Sequence, residues 1–351
     1  EGRDTPDAAY FLACNRGKKS ITLDIASERG REIARALALK SDVMVENFKV
    51  GDLARHGLDY ATLAKDNPRL VYCSITGFGQ QGPYRDRPGY DFMVQGLGGL
   101  MSVTGERDEL PGGGPQKVGV AVSDLFSGMY ATTAIMAALL EREKSGLGQY
   151  IDMALLDVQV AMLANLSSSY FVSGKAPRRM GNAHQNIVPY NVFRASDEFL
   201  IVAVGNDGQF ARFCEVMGVP QWAKDERFAT NPQRVGHRDL LVGMITRQLA
   251  SKTAREWLAL LEPSGVPCGP INDLSQVFAD PQVVHRKMQV SAPHPAAGEV
   301  TMVANPIKFS ATPIAYNRPP PLLGEHTAAV LQDVLGLEAG EIEALKRSGT
   351  I

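Results

Sequence analysis

The feature that most constrains the fold is an alternation of short β-rich runs with helical stretches between residues 21 and 125. The pattern predicts strands over residues 20–24, 42–46 and 70–75, with helices over 27–40 and 60–66 between them. Each segment is followed by a loop rich in Gly, Asn or Pro. This alternation is typical of an α/β fold in which helices cover a parallel sheet, and such sheets bind ligands at the loops that follow their strands.

One carboxylate is singled out by its surroundings. A long helix is predicted over residues 124–144, then a strand over 149–155 and a second helix from Val158, and Asp157 lies at that junction inside an otherwise apolar run. Because burial of an unpaired carboxylate is costly, Asp157 needs an explanation. It can be a simple N-cap of the second helix. Alternatively, the helix N-terminus keeps it ionised and available as a nucleophile.

Changes in composition divide the chain into two predicted domains. Residues 1–166 form the first part of a large domain, and a stretch rich in Ser, Gly, Pro and basic residues over 167–180 predicts a linker. Residues 181–272, with a hairpin over 187–193 and 199–204 and three helices, predict a smaller α/β domain inserted into the large one. Residues 273–351 return to the large domain and end in a helix near 327–334.

Charge and motif content exclude several functions. The 36 Lys and Arg against 38 Asp and Glu give a net charge of −2, so the chain has no basic excess for nucleic acid or anionic lipid. The four cysteines show no CxxC spacing, no two histidines have metal-ligand spacing, and GxSxG and GxxxxGK[ST] are absent. The longest strongly apolar run, residues 134–140, is shorter than the roughly 20 residues of a membrane span. We expect a protein of a reducing compartment, the cytoplasm or a mitochondrial matrix, with no metal and neither nucleic-acid nor membrane partner.

Several segments of the chain recur together in one known family. They are Asn15-Arg16-Gly17-Lys18-Lys19-Ser20-Ile21-Thr22-Leu23-Asp24, Val45-Glu46-Asn47-Phe48, Ser74-Ile75-Thr76-Gly77-Phe78-Gly79, Gly82-Pro83, Gly89-Tyr90-Asp91, and Gly148-Gln149 leading to Asp157. With them the sequence resembles the class III CoA-transferase (CaiB/BaiF) family over almost its whole length. The segments from Gly181 to Tyr190 and from Pro319 to Thr327 are most similar to the succinate-hydroxymethylglutarate CoA-transferase branch.

The resemblance implies a Rossmann-like large domain, a smaller α/β domain and an interlocked homodimer. It implies that Asp157 is catalytic and that Gly181 and His184 belong to a lid. The CoA-binding positions that it implies are Leu23, Asp24, Ile25, Ala26, Asn47, Phe48, Lys49, Arg55, Pro88, Gly89, Tyr90 and Asp91. CoA is then a substrate and carrier, and no permanently bound cofactor is expected.

The activity that the resemblance implies is acyl-CoA:carboxylate CoA transfer of the EC 2.8.3 type. A donor such as succinyl-CoA would pass CoA to a dicarboxylic acid through an aspartyl-acyl anhydride and an aspartyl-CoA thioester. Two departures matter: Pro88 stands where the formyl-CoA enzyme has Lys, and Tyr90 stands where racemase relatives have His. Because Tyr has an ordinary pKa of about 10, it is a poor base at neutral pH, which favours a transferase.

Three alternatives stay open. They are an α-methylacyl-CoA racemase-like enzyme, a transferase for another acid such as oxalate or itaconate, and a catalytically silent CoA-binding protein. The family's opening strand, helix and strand have no counterpart in this sequence, which begins at Glu1. We therefore expect part of the family's CoA pocket to be missing from the sequence.

Overall fold

The structure is a computed structural model that describes residues 8–351. It forms two compact units: the described part of Glu1–Val94 with Ala121–Met162 and Ser275–Ile351, and Gln95–Val120 with Leu163–Leu274. The second unit contains the predicted small domain over residues 181–272. It also includes residues 95–120, which composition alone assigned to the large domain.

The described residues form eight strands and sixteen α-helices. The strands in chain order are β1 Val43–Glu46, β2 Val71–Thr76, β3 Tyr150–Ala154, β4 Tyr190–Arg194, β5 Phe199–Ala203, β6 Cys268–Pro270, β7 Gln289–His294 and β8 Gly298–Val303. The helices are α1 Ala9–Cys14, α2 Glu28–Leu39, α3 Tyr60–Leu63, α4 Asp91–Leu97, α5 Leu100–Val103, α6 Val122–Ser145, α7 Leu155–Met162, α8 Ala164–Ser173, α9 Asp207–Val216, α10 Asn231–Gly236, α11 Arg238–Leu249, α12 Ala254–Leu261, α13 Leu274–Ala279, α14 Pro281–His285, α15 Thr327–Leu335 and α16 Ala339–Arg347. Short 3-10 helices cover Leu53–His56 and Pro220–Lys224.

A parallel sheet in the order β1-β2-β3 is the centre of the first unit. Val45 pairs with Cys73, and Cys73 pairs with Ile151 on the other side. The central strand β2 is buried from Val71 to Ser74, as is usual for a parallel strand covered on both faces. The predicted α/β fold is therefore confirmed, and these three strands lie within one or two residues of their predicted positions.

The strand predicted over residues 20–24 is wrong. The backbone donors of this segment go to the closing part of the chain and not to a neighbouring strand. The Asp24 N–H donates to the Thr350 carbonyl at 2.8 Å, and the Thr22 N–H donates to Thr327 Oγ1 at 3.0 Å. Local β propensity is overridden here because the partners come from helical ends more than three hundred positions later.

The predicted helix over residues 27–40 is confirmed as α2. The Ser27 hydroxyl accepts the Gly30 N–H at 3.0 Å, so it caps the helix as its position predicted. Ile33 on the buried face packs in one apolar cluster with Leu331 of α15 and Leu345 of α16. This cluster joins α2 to the two closing helices, of which α15 was predicted.

By length and composition, helix α6 could cross a bilayer. The sequence did not indicate this, because its longest strongly apolar run is short. Helices α7 and α8 pass the same test only when they are taken together. In the structure α6 packs on β2, β3 and α7. Its buried Arg142 donates to Asp42 Oδ1 at 3.0 Å and to the Arg69 carbonyl at 3.1 Å. Length and composition alone do not distinguish a membrane span from a helix that packs on protein, so the absence of a membrane partner stays a prediction.

The second unit has its own sheet and core. Strands β4 and β5 form the predicted antiparallel hairpin, and β6 pairs with β5. The Thr253 and Glu256 side chains form the predicted capping box at α12, whose Trp257 is buried in the core. The predicted linker begins inside helix α8. The Ser173 hydroxyl donates to the Ser169 carbonyl one turn earlier, which satisfies a polar side chain inside the helix. The serine-rich composition of this segment had predicted a linker.

Candidate active site

A large cleft in the first unit lies where β1 and β2 end, at the edge of the sheet where the α/β pattern predicted a site. Its volume is about 970 Å³, within the range of ligand-binding clefts. It is formed by the loop after β1, the end of β2, the loop over residues 85–91 and the first turns of α6. The lining residues are Val45, Glu46, Asn47, Phe48, Lys49, Val50, Asp52, Ile75, Thr76, Gly77, Arg85, Asp86, Arg87, Pro88, Gly89, Tyr90, Asp91, Asp124, Ser127, Gly128 and Leu155. We refer to it as the strand-end cleft.

The cleft brings together part of the predicted CoA-binding set. Seven predicted residues line it: Asn47, Phe48, Lys49, Pro88, Gly89, Tyr90 and Asp91. Five others do not line it: Leu23, Asp24, Ile25, Ala26 and Arg55. Asp24 Oδ1 accepts the Ala26 N–H at 2.9 Å, and Arg55 pairs with Asp52, which does line the cleft. A role for these five in binding stays a prediction.

Two glycines fix the loop over residues 85–91 against the end of β2. A Cβ added to Gly89 would lie 2.2 Å from the Gly77 Cα, and one added to Gly77 would lie 2.4 Å from the Gly89 Cα. Neither glycine has a positive φ, so the requirement is the close approach of two backbones. The contact holds Tyr90 and Asp91, which follow Gly89 directly, beside the strand end.

Gly77 also determines where helix α7 begins. Its carbonyl accepts the Leu156 N–H at 3.1 Å, which starts the helix directly after β3 and satisfies one of the free donors of its first turn. The next residue in the chain is Asp157. A single glycine at the end of β2 therefore contacts both the loop that carries Tyr90 and the turn that carries Asp157.

Asp157 does not line the strand-end cleft, but Leu155, two residues before it, does. It is the third residue of α7, so the expected N-cap position is wrong, although the predicted place in the first turn of a helix is correct. Leu155 lines the cleft, and two residues of chain span at most roughly 7 Å, so the Asp157 Cα lies within that distance of the Leu155 Cα. Its role as nucleophile stays a prediction.

Asp157 presents its side chain to solvent. It is exposed, and it makes no hydrogen bond or ion pair with any residue in the part of the chain that the structure describes. Asp152 on the preceding strand is different, since its Oδ2 accepts the Gln80 N–H at 3.0 Å. The first turn of a helix favours an anion through the aligned peptide dipoles. Asp157 thus combines access to solvent with a place in the first turn of a helix.

Asp91 connects the loop over residues 85–91 to helix α6. Its Oδ1 accepts the Ser123 N–H at 2.8 Å, which satisfies one of the free donors at the helix N-terminus. Ala121, the residue before the helix, makes no side-chain cap of its own. The first turn of α6 is therefore positioned by a carboxylate from another segment, and that carboxylate lines the cleft.

Asp124 lies in this first turn of α6 and is another carboxylate that lines the cleft. Desolvation and the nearby negative charge of Asp91 raise the pKa of the Asp124 carboxyl above its ordinary value. Carboxylates with perturbed pKa values in a cleft are candidates for catalysis. Sequence reasoning missed Asp124 because an acidic residue in the first turn of a helix is ordinary.

A buried polar group follows Asp124 on α6. Ser127, three residues later and on the same face, is buried with no hydrogen-bond partner for its hydroxyl among the described residues. Ser123 Oγ donates to Gln159 Oε1 of α7 at 2.7 Å, and both of these residues are buried. This bond ties the turn that carries Asp124 to the helix that carries Asp157.

The predicted lid residues belong to the second unit. The His184 Nδ1 accepts the Asn186 N–H at 3.1 Å, and its ring lies 5.2 Å from that of Tyr190. The Gly181 N–H donates to the Gly105 carbonyl at 3.0 Å, and its φ of 59° is left-handed. These contacts hold the segment in a defined turn, while its role as a lid stays a prediction.

Cations line the cleft beside its carboxylates. Lys49, Arg85 and Arg87 supply positive charge, and Arg85 lies 3.4 Å from Asp86. The Tyr90 side chain is largely exposed at the cleft surface. Within residues 8–351 no three His, Cys, Asp or Glu side chains are grouped closely enough to hold a metal ion. The cleft thus offers carboxylates, cations and backbone groups for chemistry.

Comparison with known proteins identifies the relatives of this chain. A family model described as CoA-transferase family III matches residues 1–327. The chain is 49% identical over 343 residues to a succinate–glutarate CoA-transferase of Agrobacterium fabrum, covering 98% of this chain and 83% of that protein. It is 41% identical over 345 residues to a succinyl-CoA:glutarate CoA-transferase of Mus musculus, covering 98% and 78%. A crystal structure of a CaiB/BaiF family protein from Brucella suis matches with a TM-score of 0.82 and 47% identity, covering 95% of this chain and 86% of that one. These matches confirm the predicted resemblance and show that the chain belongs to CoA-transferase family III.

Proposed function

We propose that the protein transfers CoA from a dicarboxylyl-CoA to a second dicarboxylic acid through covalent intermediates on Asp157. The observation that carries the proposal is the junction at Gly77, which contacts both Gly89 in the wall of the cleft and Leu156, the residue before Asp157. The names of the relatives, which include succinate, glutarate and oxalate CoA-transferases, support this activity and this substrate class.

The proposed reaction begins when the aspartate carboxylate attacks the thioester carbonyl of the donor. CoA leaves as a thiolate, and an aspartyl-acyl anhydride forms. The thiolate then attacks the aspartyl carbonyl of that anhydride, which releases the donor acid and leaves an aspartyl-CoA thioester. The acceptor carboxylate attacks this thioester, which forms a second anhydride and frees the thiolate again. The thiolate takes the acceptor acyl group, the aspartate is regenerated, and neither water nor an oxidant is consumed.

Asp157 suits the role of nucleophile for three reasons. Its carboxylate is exposed and has no partner within residues 8–351, so no existing bond has to break before it attacks. It lies in the first turn of α7, where the aligned peptide dipoles point their positive end toward an attacking carboxylate. Its backbone is held through Leu156 and Gly77 next to the loop with Tyr90 and Asp91.

Asp124 is the second candidate for the nucleophile. It lines the cleft, which Asp157 does not. Desolvation and repulsion by Asp91, however, raise the pKa of its carboxyl, so ionisation is less favourable there than for an ordinary aspartate. We therefore assign Asp124 to the cleft wall and Asp157 to the covalent step.

The test compares two isosteric variants of the purified protein. Transfer of CoA from succinyl-CoA to glutarate is followed by mass spectrometry of the acyl-CoA products. We expect Asp157→Asn to abolish transfer and Asp124→Asn to retain a measurable part of it. Loss of transfer in Asp124→Asn with retention in Asp157→Asn would move the assignment to Asp124. Absence of transfer in the wild type would refute the proposed function.

We also propose that the protein is a homodimer. Helix α6 exposes a row of large apolar side chains, Leu125, Met129, Met136 and Leu140. Exposed apolar surface of this kind marks association sites. Light scattering during size-exclusion chromatography measures the mass directly, and a mass of one chain at all concentrations would contradict the proposal.

A cytoplasmic or mitochondrial-matrix location is proposed on the cysteines. The four of them, Cys14, Cys73, Cys214 and Cys268, are all free thiols in the structure. Burial raises the pKa of the Cys214 thiol to about 12, which leaves it protonated and inert. Localisation of a tagged protein by fluorescence microscopy tests this, and a secreted protein would contradict it.

A further inference from the structure

Arg87 is a cation of the strand-end cleft that has no anionic partner within residues 8–351. Its neighbour Arg85 lies 3.4 Å from Asp86, whereas no described carboxylate lies within ion-pair distance of the Arg87 guanidinium. Arg87 lines the cleft from the loop over residues 85–91. Its five N–H donors are therefore available to a ligand.

The guanidinium of Arg87, an exposed residue, stacks on one aromatic ring. Its central carbon lies 4.0 Å from the centroid of the Tyr84 ring, and the Tyr84 ring packs edge-on against Phe78 at 5.7 Å. The Arg87 N–H donates to the Tyr84 carbonyl at 2.9 Å, so a turn brings the two side chains together. A guanidinium stacked on a ring keeps its edge donors free, and its fork matches a carboxylate. Arg87 is thus preorganised to bind an oxyanion.

Arg87 is also close in the chain to the junction beside Asp157. It precedes Gly89 by two residues, so their Cα atoms are at most roughly 7 Å apart. Gly89 contacts Gly77, whose carbonyl accepts the N–H of Leu156, the residue before Asp157. These contacts place the loop that carries Arg87 beside the turn that carries Asp157.

We propose that Arg87 binds the free carboxylate of a dicarboxylic substrate while the other carboxyl group reacts, and so selects diacids over monoacids. The inference rests on the proposed CoA transfer and names a specificity residue for it. In a dicarboxylyl-CoA the second carboxylate lies a few bonds from the thioester, whereas the whole pantetheine arm separates the thioester from the phosphates. A cation near the reacting carboxylate is therefore better placed to bind the second carboxylate of the acid than to bind the phosphates of CoA.

The test compares glutarate with pentanoate, which has the same five-carbon chain but only one carboxylate. Both acids are measured as acceptors with succinyl-CoA as donor. An effect on the donor half of the reaction is then the same for both acids, so it cancels in the ratio of their kcat/KM values. Arg87→Gln is expected to lower this glutarate-to-pentanoate ratio by about 10- to 100-fold, the effect of losing a charged hydrogen-bond pair. Arg87→Lys keeps the charge without the fork and should recover part of the loss. Arg247→Gln, on exposed helix surface of the second unit, is the matched control.

Other results would overturn the inference. An unchanged ratio with an equal loss for both acids would show that Arg87 acts on the donor half of the reaction and does not select the acceptor, which overturns the inference. Unchanged kinetics for both acids would show that Arg87 binds no substrate. Calorimetric titration of glutarate into the CoA-saturated protein gives a readout that does not need turnover. If the wild type transfers no CoA yet binds glutarate in an Arg87-dependent way, the proposed reaction fails while the carboxylate site stands.

Tyr84→Leu tests the preorganisation separately. It leaves the Arg87 charge in place but removes the ring that holds it. We expect a smaller fall in the glutarate-to-pentanoate ratio than in Arg87→Gln. An equal, larger loss for both acids would mean that the substitution disrupts the loop and not the guanidinium alone, and circular dichroism with urea unfolding checks this.

Discussion

Gly89→Ala is the substitution whose effect on the site can be worked out most directly. The added Cβ would lie 2.2 Å from the Gly77 Cα, and ordinary van der Waals contact begins at 3.4 Å. Both contacting groups are backbone, so the two segments have to separate by about 1.2 Å. The loop over residues 85–91 is the segment that can move, because Gly77 directly follows the paired strand β2. The shift then reaches Asp91 and its bond to the Ser123 N–H.

The consequence should be larger for catalysis than for stability. Overpacking of this kind costs about 1–3 kcal/mol of unfolding free energy. A misplacement of about 1 Å in a catalytic constellation can cost roughly 100-fold in rate. We therefore expect Gly89→Ala to remain folded and to lose about two orders of magnitude in kcat.

Steady-state CoA transfer and urea unfolding measure the two effects. Gly236→Ala at the end of α10 is the matched control, since its added Cβ meets nothing within 4 Å, and it should keep full activity. If Gly89→Ala is folded and its kcat equals that of wild type, the close approach of Gly77 and Gly89 does not position the site and the reasoning is refuted.

Three further predictions concern charges. Asp91→Asn removes the negative charge that helps to raise the pKa of Asp124. The pKa of Asp124, measured by carbon-13 NMR, should therefore fall. An unchanged pKa would show that the two carboxyl groups do not interact. The pKa of Asp124 is raised in the folded state, so its ionisation destabilises the fold. Asp124→Asn should therefore have a higher Tm than wild type at pH 7, and the difference should shrink as the pH falls. A lower Tm of the variant at pH 7 would contradict this. Buried Arg234 donates to the Val188 and Phe228 carbonyls and to Asp207. Arg234→Met should therefore lower the free energy of unfolding in urea by about 3 kcal/mol or more. A decrease below about 1 kcal/mol would contradict its structural role.

The elements of this fold were predictable where local periodicity decides them. Helix α2 was predicted from its apolar spacing and its Ser27 cap, and both are present. The hairpin of β4 and β5 and the capping box at Thr253 were also predicted and are confirmed. In each case the determining contacts are close in sequence, so single-sequence reasoning can find them.

The failures come from contacts between distant residues. The segment over residues 20–24 has the composition of a strand, but its donors pair with Thr327 and Thr350 and not with a strand. The position of a partner more than three hundred residues away leaves no local signal. Helix α8 was missed for a different reason, because serines favour loops and the bond of Ser173 back to a helix carbonyl is visible only in the structure.

The candidate site shows the same limit. The carboxyl edge of the sheet and the segments Asn47–Lys49 and Pro88–Asp91 were predicted, and the structure brings them into one cleft. The sequence indicates that Asp157 is unusual, because it interrupts an apolar run. The contact between Gly77 and Gly89 that joins its helix to the cleft connects segments twelve residues apart and has no local signature. Asp124 was missed because an acidic residue in the first turn of a helix is ordinary, and its proximity to Asp91, 33 residues earlier, is visible only in the structure.

The central claim is that Asp157 carries the acyl group and CoA covalently. It is tested most directly by incubating the protein with succinyl-CoA and hydroxylamine, which converts an aspartyl anhydride or thioester into a stable hydroxamate, and by locating the modified residue with peptide mass spectrometry. The proposed chemistry predicts a hydroxamate on Asp157 that forms only with the acyl-CoA. A hydroxamate on Asp124 or another carboxylate, or continued turnover with no modified residue, would contradict it.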